Sequence, residues 1–209
     1  MAFDYINVDK LLDEYSGLKT IKSLNHLIVM HGEFTMHRTY NNVTFSKTYR
    51  IKICIDSNEC PKIYDVGKNI NTDYPHKQQN NELCLAVHSE IINNCVTNRH
   101  FDLYKWFEKY VIPFFFTYEY YNRFGFYPFG ERAHGNEGVF EYYMEVFHLN
   151  TYSQVKSFLR EIIKRNLKNH DLCPCGSRVK IRNCHKYEIQ KAYESVMYYC
   201  IKEDLKKLK

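Results

Sequence analysis

The chain lacks any long apolar run. Its longest, Val111 to Phe116, is far too short to cross a bilayer as a helix. The N-terminal stretch carries acids early and no apolar core followed by a small-residue cleavage site, so no secretory signal is read and a cytoplasmic location is expected. Low-complexity tracts and internal repeats are also missing, and aromatics at 16% of 209 residues argue against disorder. No glycine-rich, phosphate-cradling loop is visible, which argues against nucleotide hydrolysis. What is present, 44% hydrophobic and 25% charged residues, suits a globular chain of one generous domain, or a medium domain with an appendage.

Eight cysteines in a reducing compartment are better read as metal ligands or reactive thiols than as a disulfide framework. Cys54, Cys60, Cys84 and Cys95 are scattered, Cys173, Cys175 and Cys184 are clustered, and Cys200 stands alone. Charge divides the chain as well. Residues 1–150 hold 15 Lys and Arg against 18 Asp and Glu, net −3, whereas residues 151–209 hold 14 against 6, net +8. This shift places a boundary at residue 150, with a basic tail that favours an acidic partner or nucleic acid, or is simply a solvated helical surface.

Residues 8–24 read as a helix through Leu11, Leu12, Tyr15, Leu18, Ile21 and Leu24, weakened at Gly17. Strands follow over Leu27–Tyr40 and Val43–Ile55, joined by an Asn41-Asn42 turn. In the second strand Phe45, Tyr49, Ile51, Ile53 and Ile55 share one face, and polar residues the other. A short strand at Lys62–Tyr64, a polar stretch and the apolar segment Leu83–Val87 come next. Then comes an aromatic helix with Leu103, Trp106, Phe107, Tyr110 and Phe114, which Pro113 should bend or break. The aromatic stretch to Tyr127 is core and lid, since only Lys109 and Arg123 interleave it; nucleic acid is therefore disfavoured as a partner. A glycine-rich loop over 122–138 leads to a short helix at 139–147, a Thr151-capped helix to Leu167, and a last amphipathic helix from Tyr187 to Ile201. The fold class is α+β, an antiparallel meander flanked by helices.

Cys173-Pro-Cys175-Gly-Ser is followed, after six intervening residues, by Cys184-His185. Thiolates and imidazole are the donors zinc prefers, and four of them close a tetrahedral structural site with no open position for catalysis. The pattern resembles the SEC-C zinc motif, C-x-C-G-S-x6-C-[CH], known from the C-terminus of the SecA translocation ATPase. All four ligand positions match. Arg178 departs from it, standing where the motif usually has glycine. The resemblance implies a small helical module holding structural zinc.

The order helix, meander, irregular segment with a cysteine, then helices, together with the run Tyr74 to Leu85, resembles a ubiquitin-conjugating-enzyme domain. The likeness is closest to the shortened bacterial versions, in which a histidine and a polar turn precede Leu-Cys-Leu. The run from Gly130 to Gly135, with Glu141-Tyr142-Tyr143 beyond it, adds a second similarity. The resemblance implies thioester chemistry at Cys84, with His76 and His134 as assisting residues and His88 a lesser candidate. Lys77 and Gln78 stand where the eukaryotic motif has proline and asparagine, so Asn80, Asn81 or a histidine would have to stabilise the oxyanion. The implied setting is bacterial antiphage operons of the CBASS type. There a ubiquitin-like protein or target-protein C-terminus passes to a lysine, with a cGAS-like nucleotidyltransferase as a candidate partner and a separate activating enzyme. Two rivals stand beside this reading: a non-catalytic zinc-containing adaptor, and a ribosome- or translocation-associated binding protein.

Overall fold

The structure, a computed structural model, describes residues 2–24 and 27–208. In chain order its elements are β1 (Asp4–Ile6), α1 (Val8–Glu14), β2 (Leu18–Leu24), β3 (Leu27–Tyr40), β4 (Val43–Asp56), β5 (Lys62–Asp65) and α2 (His88–Cys95). There follow β6 (Val96–Thr97), β7 (His100–Asp102), α3 (Leu103–Trp106), a π-helical turn (Phe107–Val111), α4 (Ile112–Phe124), α5 (Gly135–Val146), α6 (Tyr152–Lys164), α7 (Lys186–Glu194) and α8 (Met197–Lys207). The class is α+β, as expected.

The chain forms two compact units. One comprises Met1–Ala86 and Arg99–Gly130, the other Val87–Asn98 and Glu131–Lys209. The compact division therefore does not fall at residue 150. Tyr142, Tyr143, Phe147 and Leu149 are buried with Phe158, Ile162, Ile189 and Ile201, so apolar packing binds residues 131–150 to the tail despite the change of charge.

The first unit is built on an antiparallel sheet in the order β2-β3-β4-β5. β3 and β4 pair in continuous register from Leu27↔Asp56 to Tyr40↔Val43. Asn41 and Asn42 both take positive φ, 47° and 63°, the backbone a tight two-residue hairpin demands. Tyr49, Ile51, Ile53 and Ile55 are buried and face the core as read from the alternation, with Phe45 half-buried. They meet the aromatic helix: Phe34 lies 5.2 Å from Phe107 and 5.1 Å from Phe115, and Tyr49 4.2 Å from Phe115, between ring centroids.

Two expectations about this unit are corrected. The helix expected over 8–24 stops at Glu14, and Leu18–Leu24 is an edge strand. Gly17 and Gly32 let two backbones touch there: Glu33 N–H donates to Gly17 O at 3.2 Å, and Leu18 pairs with Gly32. Pro113 does not break the aromatic helix. Proline cannot donate and its ring crowds the carbonyl four residues back. The chain absorbs this one turn earlier, where Ile112 N–H reaches Phe107 O in a π-type closure.

The second unit is helical. α2, α5, α6, α7 and α8 surround a core of Tyr143, Phe147, Val155, Phe158, Leu159, Ile162, Ala192 and Ile201. Thr151 caps α6 as expected, its hydroxyl accepting Gln154 N–H at 3.2 Å. The last helix is two, because extended Ser195 ends α7 and its hydroxyl accepts the Met197 N–H that opens α8. The glycine-rich link is shorter than expected, since α4 runs to Phe124 and α5 begins at Gly135. Among the described residues no helix is long and apolar enough to cross a membrane.

Candidate active-site cysteine and candidate metal centre

In the first unit the segment after β5 doubles back on itself. Asp65 N–H donates to Asn81 O, Tyr64 bridges Glu82, Gln78 N–H donates to Glu82 O, and Lys77 bridges Leu83. The next rung joins Cys84 N–H to His76 O at 2.8 Å. Side chains alternate along a ladder, so Lys77 and Leu83 point inward and are buried, while His76 and Cys84 share the outward face. A ring nitrogen of His76 and the Cys84 sulfur come within 4.8 Å of each other. The His76 ring lies 5.5 Å from Tyr74 and 6.0 Å from Tyr127, between ring centroids, so aromatic residues wall its other sides.

Cys84 is exposed and lies outside any strand, which separates it from its buried neighbour Leu83. Its surroundings nevertheless desolvate the sulfur and, with Glu82 adding to the effect, raise the thiol pKa. Thiolate chemistry at neutral pH therefore needs a proton acceptor at hand. Asn80 is occupied in the turn, its side-chain oxygen accepting Glu82 N–H at 2.9 Å, and Asn81 shapes that turn with φ 66°. His134 and His88 both belong to the second unit, the one capping α5 3.8 Å from Glu131, the other opening α2. Cys60, Cys95 and Cys200 are buried, and burial pushes the Cys200 thiol up to about 12.

Sequence reasoning missed what lies under His76. Lys77 Nζ, buried, pairs with buried Asp65 at 2.9 Å and donates to Ile70 O at 2.7 Å. The Asp65 carboxylate also accepts the N–H groups of Asn69 and Ile70. Nothing in the residue types around Lys77 marks it as buried; a lysine between histidine and glutamine reads as solvated.

In the second unit a tight hairpin brings Cys173 and Cys175 together. Cys173 N–H donates to Val179 O, Gly176 N–H to Cys173 O, and Leu172 bridges Lys180. A short 3₁₀ turn, Ile181–Asn183, then delivers Cys184, and His185 stands at the head of α7. The ligand atoms of Cys173, Cys175, Cys184 and His185 all lie within 4.8 Å of one another, so this group could hold a metal ion. The Cys175 and Cys184 sulfurs are 3.6 Å apart, and His185 Nδ1 is 3.3 Å from Cys173 Sγ and 3.0 Å from Cys184 Sγ. Tetrahedral zinc–sulfur bonds of about 2.3 Å give edges of about 3.8 Å, so the cage is already close to the right size.

The second coordination layer fits too. His185 Nε2 lies 2.7 Å from the carbonyl of Phe147, which can only accept, so Nε2 carries the proton and Nδ1 is left for the cluster. Burial pushes the Cys173 thiol up to about 12; at Cys175 burial is outweighed by hydrogen bonds, first from Ser177, and the pKa falls to about 7. Arg178, exposed, adopts φ 59°. This explains why glycine suits that position: a side chain there costs about 1–2 kcal/mol, against about 0.5–1 kcal/mol of extra chain entropy for glycine. Arg178→Gly is expected to stabilise the protein by about 0.5–1 kcal/mol, read as a higher melting temperature with unchanged metal content.

No protein-family model, no curated protein and no solved structure matches the chain.

Proposed function

We propose that the chain is a cysteine acyl transferase of the ubiquitin-conjugating kind, with a zinc-holding helical unit that recruits partners. One observation carries this reading: the ladder that turns His76 and Cys84 to the same outward face, with ring nitrogen and sulfur within 4.8 Å. The preceding helix and antiparallel meander support it, being the order that the resemblance requires. Cys84 thiolate attacks the carbonyl of an incoming thioester, made by a separate activating enzyme on a ubiquitin-like or target-protein C-terminus. The donor thiol leaves, and the acyl group is now on Cys84. A lysine amine of the target then attacks, the Cys84 thiolate departs, and His76 takes the surplus amine proton. The setting is bacterial antiphage defence, with a cGAS-like nucleotidyltransferase as the candidate conjugated partner. Zinc at Cys173, Cys175, Cys184 and His185 supplies cross-linking rather than chemistry, because four protein ligands leave no open position.

The adaptor reading has one observation in its favour, the upward shift of the Cys84 thiol. Incubating the protein with its operon partners and comparing gels with and without reducing thiol separates the two. Wild type is expected to form an adduct that thiol removes and an isopeptide product that thiol leaves intact. Cys84→Ala should abolish both, Cys84→Ser should trap an oxyester that thiol does not cleave, and Cys54→Ser should behave as wild type. Full target modification by Cys84→Ala would overturn the transferase reading and leave the adaptor.

A further inference from the structure

The ion pair under the His76–Cys84 rung has a more specific role than holding a loop together. Its anchors span the whole segment. Asp65 ends β5, and its carboxylate accepts the N–H groups of Asn69 and Ile70, which pins the start of the polar stretch. Lys77, twelve positions further on, reaches back to that same carboxylate and to Ile70 O. Tyr118 ties the middle down from α4, its hydroxyl accepting Asn71 N–H and donating to Asn69 O. Both charges are almost wholly removed from solvent, with 3% of the lysine side chain and none of the aspartate exposed.

A buried ion pair gains little stability over a well-packed apolar pair, because desolvation consumes most of the attraction; its best-attested use is to fix register. Register matters acutely here. The ladder has few rungs, and a one-residue slip in a period-two structure moves every side chain to the opposite face. With Lys77 inward, His76 is outward beside Cys84. With Lys77 outward, the histidine turns toward the core and the thiol loses its neighbour. The carboxylate at Asp65 makes the second arrangement costly, since it would leave a buried charge without its partner.

We propose that Lys77 is a positioning residue: through Asp65 it locks the register that sets His76 against Cys84. The proposal rests on the transferase reading only for its use, not for the lock itself. It is tested by amide exchange and by thiol alkylation on the full chain. Cys84 N–H is held by His76 O and Leu83 N–H by Ile63 O, so Leu83 is an internal reference for general loosening. In Lys77→Met, Cys84 N–H is expected to exchange at least tenfold faster while Leu83 N–H changes less than threefold. Should Lys77→Met fail to fold, the double variant Lys77→Met with Asp65→Asn removes both charges and keeps the packing; the same selective loss is expected in it. Equal acceleration at both amides, or wild-type protection at Cys84 in the double variant, would overturn the lock.

The second readout is the pH profile of iodoacetamide alkylation at Cys84, read by peptide mass against Cys54. Wild type should differ from His76→Asn, and the double variant should coincide with His76→Asn, an outcome that simple loss of stability does not produce. If wild type and His76→Asn coincide while the amide result holds, the lock stands and His76 loses its assisting role in the transferase reading.

Discussion

Stripping the proposed zinc from Cys173, Cys175, Cys184 and His185 is expected to unfold much of the second unit rather than only loosen a tail. These cysteines are part of the hydrophobic core: Cys173 and Cys175 are buried in the same cluster as Phe158, Ile162 and Ile181. Without the ion, three thiols and an imidazole face one another across 3.0–3.6 Å with no cross-link. Structural zinc contributes about 10–16 kcal/mol of apparent binding free energy in small peptides, as much as the whole net stability of a typical domain. The unit has an apolar core of its own, so the expected loss is smaller, on the order of several kcal/mol. Elemental analysis should find one zinc per chain, and Cys175→Ser should lower both zinc content and melting temperature. Chelation should speed amide exchange in α6 and α7. Metal-free wild type with an unchanged melting profile would end the zinc assignment.

Gly32→Ala is expected to be the most damaging single substitution in the first unit. A Cβ at Gly32 would lie 2.0 Å from Gly17 O and 3.0 Å from the Leu18 Cα, both backbone atoms with no rotamer to relieve the clash. The reverse contact is equally tight, since a Cβ at Gly17 would meet Glu33 O at 2.3 Å. Either substitution forces β2 away from β3, with an expected cost beyond about 4 kcal/mol or outright insolubility. Gly125→Ala provides the contrast. Its φ is 78°, but a Cβ there meets nothing within 4 Å, so only the strain of about 1 kcal/mol is expected. Denaturant midpoints of the three variants decide the matter. A Gly32→Ala midpoint close to that of Gly125→Ala would mean the strands separate at little cost.

Where local pattern and tertiary packing agree, the elements were legible. The β3–β4 hairpin was read to within one residue because the strands alternate cleanly and two asparagines accept positive φ. The Cys/His cluster was legible because cysteine and histidine are uncommon and stand close together there, and the structure gathers their ligand atoms within 4.8 Å of one another. The strand Leu18–Leu24 was not, since its apolar residues also satisfy a helical period; the deciding contact is Gly17 against residues some fifteen positions away. The boundary expected at residue 150 came from charge, whereas the compact units follow buried aromatics such as Tyr143 and Phe147, whose partners lie far along the chain. The sequence pointed to His76 and Cys84 together, and the structure brings ring nitrogen and sulfur within 4.8 Å, but what lies beneath them was not legible. The Asp65–Lys77 pair is a contact between residues twelve apart, and no periodicity signals it.

The placement of α2 has a consequence for how the protein is made. Ser89 on this helix hydrogen-bonds to Asp204 on α8, 115 residues later, and Tyr143 donates to the same carboxylate. At about 5–20 residues per second a ribosome needs on the order of 6–25 seconds to deliver that partner. Until α8 is made, Tyr143, Phe147 and Phe158 lack Met197 and Ile201, which are buried in the same cluster in the finished protein. Nascent chains stalled before α8 should therefore be held by chaperones that grip short apolar segments, and release should coincide with synthesis of the last helix.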